Sequence, residues 1–171
     1  MKKNFFITTI MLSILLAITS CKKDNNDDNN IITNATMTAT IDNNTWTSVT
    51  RVTKHYKNTS KFIITGTSVS GEVIVITIKG DQVGHYTSSA SIDSASAQVG
   101  CVWQPDASSP TTDNYLSKSG TVDISSVDTA SLKISGTFKF DLIKTDSLGY
   151  QTAKTITDGK FSDLSYSESD N

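Results

Sequence analysis

Between Ser131 and Leu142 the chain alternates with a period of two. Leu132, Ile134, Gly136, Phe138, Phe140 and Leu142 fall on one side, and Ser131, Lys133, Ser135, Thr137, Lys139 and Asp141 on the other. Only an extended strand separates odd from even positions in this way, so the run predicts a long strand with one buried and one solvated face. A glycine in its middle predicts a bend or bulge near Gly136. Val122 and Ile124 offer a hairpin partner across residues 125–130. Beyond the first twenty residues no stretch carries a helical period, so whatever core the chain builds must be built from sheet.

The same alternation recurs upstream. Met37, Ala39 and Ile41 interleave with Thr36, Thr38 and Thr40, and Asp42-Asn43-Asn44 is a turn cluster leading into a second strand from Trp46 to Val52. Phe62, Ile64 and Gly66 share a face of a third strand. After a turn at Ser70-Gly71, the run Val73–Ile78 is apolar on both faces, as expected of a central or doubly covered strand. Near the C-terminus Asp158-Gly159 is a two-residue hairpin signal, which would set Ile156 opposite Phe161 and Lys154 opposite Asp163. Strict alternation then sends Leu164 and Tyr166 to the other face from Phe161, so either a bulge intervenes or both faces are covered. About nine or ten short strands with turn signals every 8–12 residues define an all-β domain. An antiparallel sandwich is the preferred architecture, and a closed or partly closed barrel, which writes much the same pattern, is the alternative.

The N-terminus reads as an address. Lys2 and Lys3 precede an apolar stretch from Phe5 to Ile18, of the length of a signal-peptide core and too short to span a bilayer. Ile18-Thr19-Ser20-Cys21 resembles a bacterial lipobox, which implies cleavage before Cys21 and lipidation of its thiol. Two or more acyl chains there would anchor the protein stably, at about 0.8 kcal/mol per buried methylene. The segment Lys22–Asn30 has no apolar residue and reads as a flexible tether. The expected organisation is a signal peptide at 1–20, a lipidated cysteine with its tether at 21–34, and a single β domain at 35–171.

Composition narrows the function classes. A formal charge of −2 over 171 residues argues against a nucleic-acid partner, which wants a basic face. After processing, Cys101 is the one remaining thiol and is expected to pack as a small buried hydrophobe. His55, in the polar stretch KHYKN, is expected to be a solvated turn residue. His85 is expected to be structural or exposed, and the aspartates Asp42, Asp128 and Asp158 to serve turns. Glu72 sits beside a turn glycine, and no G-x-S-x-G elbow or phosphate-binding loop occurs. The expectation is a non-enzyme without metal or cofactor. Among large rings, Trp46 and Trp103 are expected in the core. Trp103 and Tyr115 flank the polar loop 104–114 and are the candidate ligand-binding residues, for a glycan or a protein partner.

Taken in order, the elements M-T-A-T-I-D-N-N-T-W, I-I-T-G-T, V-I-V-I-T-I, G-H-Y, S-G-T-V-D-I-S-S-V-D, I-S-G-T-F-K-F and I-T-D-G-K-F-S-D-L resemble an uncharacterised family of small Bacteroidota lipoproteins over residues 36–166. The resemblance implies a β domain held by lipid at the outer membrane, surface-exposed or periplasmic, and carries no activity to transfer. The expected function is therefore a non-catalytic binding module of the cell envelope, or alternatively an assembly component that pairs through a strand edge.

Overall fold

The alternation becomes ten strands in the computed structural model, which describes residues 35–88, 98–108 and 113–170. These are β1 (Thr36–Ile41), β2 (Asn44–Tyr56), β3 (Lys61–Ser68), β4 (Val73–Lys79), β5 (Gly84–Ser88), β6 (Val99–Gln104), β7 (Tyr115–Asp128), β8 (Lys133–Thr145), β9 (Gln151–Ser165) and β10 (Ser167–Ser169). The predicted leader, the Cys21 lipidation site and the tether lie outside the described residues. Eight strands form a ring in the order β1-β9-β8-β7-β6-β4-β3-β2, and β1 pairs with β2 to close it. Neighbours in the ring run antiparallel, while β5 adds to β7 and β10 lies parallel to β2. The domain is a closed barrel, the second of the two readings that the pattern left open. Sandwich and barrel are hard to tell apart in sequence because every strand of either has one inward and one outward face.

An eight-stranded barrel is just wide enough for its own side chains to fill. Met37, Phe62, Ile64, Ile74, Ile76, Ile78, Ile134, Leu142 and Phe161 fill this one, all essentially without exposure. Each such side chain contributes about 1.5–3 kcal/mol relative to leaving it in water. β4 sits between β3 and β6, with Ile74, Ile76 and Ile78 inward and Val73, Val75 and Thr77 half-buried outward. Along β8 the outward positions Thr137, Lys139 and Asp141 are exposed. Apolar inside and polar outside is the reverse of the alternation in barrels that face lipid.

The β1–β2 connection is the tight turn anticipated at Asp42-Asn43. Ile41 pairs with Asn44, and both central residues have positive φ, as a primed two-residue turn requires. The β7–β8 hairpin sets Val122 opposite Phe138 and Ile124 opposite Gly136, with β7 continuing further than expected, to Asp128, and β8 beginning at Lys133. Asp128 accepts from the backbone N–H groups of Ala130 and Ser131 and so holds that turn.

Asp158-Gly159 is not a hairpin. β9 runs through it unbroken, and Ile156 pairs with Phe140 and Phe161 with Gly136 instead of with each other. Lys154 correspondingly pairs with Leu142, not with Asp163. The left-handed preference that makes Asp-Gly a turn signal here serves a bulge: Asp158 has φ +51°, and the register of β9 slips by one residue against both β8 and β1. Asp163 repeats the device at φ +51°, with a second slip between Ile134 and Gly136 of β8. Two bulges thus restore the parity, and Ile156, Gly159, Phe161, Leu164 and Tyr166 all face inward. The bulge expected near Gly136 is present, with register slips between Ile134 and Gly136 against β9 and between Ile124 and Ser126 of the facing β7, and Gly136 is also a close approach. A Cβ there would lie 2.4 Å from the Asp123 carbonyl oxygen and 2.5 Å from the Phe161 ring.

Candidate functional site

The antiparallel ring gives the barrel two ends. One carries the β1–β2, β3–β4, β6–β7 and β8–β9 connections. The other carries the β2–β3, β4–β5 and β7–β8 connections, the start of β1 and the short β10. The orphaned polar atoms divide between them. Among the described residues, buried side-chain atoms without a hydrogen-bond partner are Trp46 Nε1, Trp103 Nε1 and Asn114 Oδ1 at the first end, and Thr53 Oγ1, both His55 ring nitrogens and the Tyr166 hydroxyl towards the second. An orphan of this kind costs about 1–3 kcal/mol, so each calls for an account.

At the first end Trp46 enters from the start of β2 and its ring lies over Gly66, where a Cβ would come within 2.8 Å of Trp46 Cη2. Trp103, near the end of β6, packs against Tyr115 at the start of β7, with ring centroids 5.1 Å apart. The two candidate residues are therefore brought together, but both are 7% exposed. They form an inner wall, not the open aromatic platform that would stack against a ligand from solvent. Beside them lies a cavity of about 120 Å³, lined by Ile41, Asn44, Trp46, Glu72, Trp103 and Lys154 among others. Lys154 Nζ donates to Asp42 Oδ2 at 2.6 Å, and the Thr155 N–H donates to Asp42 Oδ1 at 2.9 Å. The Lys154 hydrogen bond is the main reason that the Asp42 carboxyl sits below its ordinary value, and the same bond holds the Lys154 ammonium above its own. Glu72 Oε2 accepts from the Ser70 hydroxyl at 2.8 Å, with the Ser68 hydroxyl at 3.4 Å. Of the loop after β6, residues 109–112 lie outside the described residues. Its first part is tied down where the Ala107 N–H donates to the Gly71 carbonyl at 3.0 Å.

The second end holds the larger surprise. His55, expected to be solvated in a turn, is the penultimate residue of β2, and its side chain is 12% exposed. Its ring stacks on Phe62 at 4.5 Å and meets Tyr166 edge-on at 5.7 Å. Nε2 lies 3.6 Å from the Asp81 carboxylate and Nδ1 3.8 Å from Glu168, beyond hydrogen-bond reach. Lys57 bridges Glu168 at 3.3 Å and Asp170 at 3.4 Å, and the Asn58 amide donates to the Asp170 carbonyl, so β10 is clipped down over this corner. His85 is exposed as expected, hydrogen-bonded to Asp123 across the β5–β7 pair. Cys101 is fully buried, and burial pushes its thiol far up, out of the range of a nucleophile.

Two larger hollows, of about 480 and 460 Å³, run along β7, β8 and β9. They are lined mainly by the Ser, Thr, Lys and Asp side chains of the barrel wall, and none of the orphaned atoms belongs to them. Among the described residues no group of three or more His, Cys, Asp or Glu is arranged to hold a metal ion.

Reading residues one at a time missed Glu72, Lys154 and the burial of His55. Lys154 meets Asp42 across 112 positions, a contact that only the β1–β9 register creates. His55 could have been found from the β2–β3 hairpin, since a turn at residues 57–60 sets it opposite Phe62.

The family described as Domain of unknown function (DUF6252) matches residues 33–165, nearly the span over which the resemblance was seen. Comparison with curated proteins gave no match, and neither did comparison with solved structures.

Proposed function

We propose that this chain, which belongs to the DUF6252 family, is a lipid-anchored protein of the bacterial cell envelope whose barrel binds a glycan or protein partner and does no chemistry. The observation that carries the binding half is the tryptophan end of the barrel. Trp46 and Trp103, whose buried indole N–H groups have no partner, line one cavity with Glu72 and Lys154. A core built only for stability would fill that space; a binding end leaves it for a guest. The absence of catalysis is supported by the two histidines. Among the described residues neither has a hydroxyl or thiol within hydrogen-bond distance, the arrangement that nucleophilic hydrolysis needs. The assembly reading has less support, because among the described residues closure of the ring leaves outer edges on β5 and β10, of five and three residues.

The anchor rests on the sequence of residues 1–21, with its short apolar core and the lipobox-like run ending at Cys21. Cys21→Ser is expected to abolish incorporation of labelled palmitate and to release the protein from membranes. Unchanged labelling and retention would overturn the anchor. Protease treatment of intact cells against lysed cells then assigns the barrel to the surface or to the periplasm.

A further inference from the structure

We infer that the outer wall formed by β2, β3, β4 and β6 is the face that this barrel lays against an anionic lipid surface. The contact is peripheral and made by side chains, and it is separate from both the tryptophan cavity and the lipid proposed on Cys21.

Charge divides the outside of the barrel. The strands β2, β3, β4 and β6 are consecutive in the ring and contain not one Asp or Glu. On the far side β7, β8 and β9 carry Asp123, Asp128, Asp141, Asp158 and Asp163 among their lysines. On the carboxylate-free wall the register lines up Val52, Thr65, Val75, Val102 and Leu116 as one outward row. Val52 is 57% exposed and Leu116 43%, so the row is open to solvent at both of its ends. Nearer the histidine end of the same wall, Lys61 pairs directly with Lys79, and Lys54, opposite Ile63, lies diagonally from Lys61. Like charges set opposite each other across a strand pair are destabilising. Among the described residues none of these three ammoniums has an ion-pair partner, and Lys61 rests over the Tyr56 ring at 4.6 Å. Asp81 and Glu168 at this end face the His55 ring, and Lys57 takes Glu168 and Asp170.

Three unpaired ammoniums on a wall without a carboxylate fit an anion outside the chain. The open apolar row beside them fits a partner with apolar material just under its charged surface, and a layer of anionic headgroups offers both. A folded protein would be gripped by a strand edge or by an anchor side chain in a pocket. The wall offers neither, since each of its strands has a neighbour on both sides and none of the three cavities described above opens on it. Thr50, Thr67 and Thr77 flank the apolar row, so the wall rests on headgroups and does not enter the hydrocarbon.

The test uses the chain from residue 21 to 171 with Cys21→Ser, so that no acyl chain contributes. It is floated with phosphatidylcholine vesicles, with and without about 30% phosphatidylglycerol. The protein is expected to partition onto the anionic vesicles alone and to come off at about 0.5 M salt. Lys54→Gln, Lys61→Gln and Lys79→Gln are each expected to weaken partitioning about fivefold. Lys139→Gln and Lys160→Gln, across the ring on β8 and β9, are expected to change it by less than about twofold. A polarity-sensitive dye coupled after Val52→Cys is expected to shift to the blue on the anionic vesicles, and one coupled after Thr137→Cys is not; Cys101 is buried and stays unlabelled. Partitioning no greater than onto neutral vesicles, or equal losses from the lysines of both walls, overturns the inference. Binding of soluble polyglutamate through the same three lysines without partitioning onto vesicles also overturns it, in favour of an acidic polypeptide. Each of these failures leaves the anchor in place, because that reading stands or falls on palmitate labelling of Cys21.

Discussion

The two ends of the barrel each bury an aromatic cluster beside charged side chains and orphaned polar atoms, yet the charges are placed differently. At the histidine end they face the orphan. Asp81 and Glu168 flank the two ring nitrogens of His55, and Lys57 and Asp170 extend the cluster onto β10. The elements that surround the ring belong to the same chain, so this corner closes on itself. At the tryptophan end Asp42 and Lys154 are joined to each other and pin the β1–β2 turn to β9, while the indole N–H groups beside them have no partner at all. Both ends leave polar atoms over, the Thr53 and Tyr166 hydroxyls at the one and the two indole N–H groups at the other, but the tryptophan end sets its rings beside a cavity. That difference is what turns attention to the tryptophan end as the place where something else binds.

The comparison breaks most severely if the histidine end is cut open. Phe62 has no exposure and is the ring on which His55 stacks and Tyr166 abuts. Phe62→Ala should destabilise the protein by about 3–5 kcal/mol, read as a lowered urea midpoint. A loss below about 1 kcal/mol would mean that this cluster is not the keystone of its end.

How much of this was legible depends on whether a contact is local. The strands of β1, β3, β4 and β8 were readable because their inward residues keep strict parity and are apolar: Met37-Ala39-Ile41, Phe62-Ile64-Gly66, Ile74-Ile76-Ile78 and Ile134 to Leu142. β9 was misread because parity fails twice, at Asp158 and Asp163, and the same Asp-Gly pair serves a hairpin or a bulge. What decides between them is that β9 already has β8 and β1 as neighbours, a fact of the whole sheet and not of the dipeptide. β2 was hard for another reason. Beyond Trp46 its buried positions include Ser48 and Thr53, and its last turn buries His55, so its inner face does not look apolar. At the candidate site, Trp103 and Tyr115 were legible as neighbours of one loop. The cavity was not, because it takes its lining from the starts or ends of β1, β2, β6 and β9 and from Glu72 in the β3–β4 connection.

A milder perturbation acts on the tryptophan end through its ion pair. The Asp42 carboxyl is held below 3.8 by the Lys154 hydrogen bond first and the Thr155 N–H second. A carboxyl lowered by folding stabilises the protein above its unfolded value and loses that contribution as pH falls through the folded one. The Lys154 ammonium is raised above 10.5, so its contribution is present below that value and is lost as pH rises past it. The pair should therefore add a level increment between about pH 5 and 9, falling away on both sides. Both side chains are about a third exposed, so solvent screening limits the increment to about 0.5–1 kcal/mol. Asp42→Asn should cost that amount at pH 7 and approach the parent protein as pH falls well below 3.8, followed by urea unfolding. A difference that persists unchanged at pH 3 would place the effect in the turn geometry at φ +45° and not in the charge.

The smallest expected effect sharpens the contrast most. Trp103 is 7% exposed, and truncating a buried ring ordinarily costs several kcal/mol. Trp103→Phe keeps a ring against Tyr115 and discards an N–H that has no partner. Losing the larger indole sacrifices packing, but losing an orphaned donor removes a desolvation penalty of about 1–3 kcal/mol. The two terms oppose each other, so the free energy of unfolding should change by less than about 1 kcal/mol. A much larger loss would mean that the indole N–H is already satisfied within the fold, and the tryptophan end would then be as closed as the histidine end. A near-neutral substitution, by contrast, is what an N–H without a partner in the fold requires.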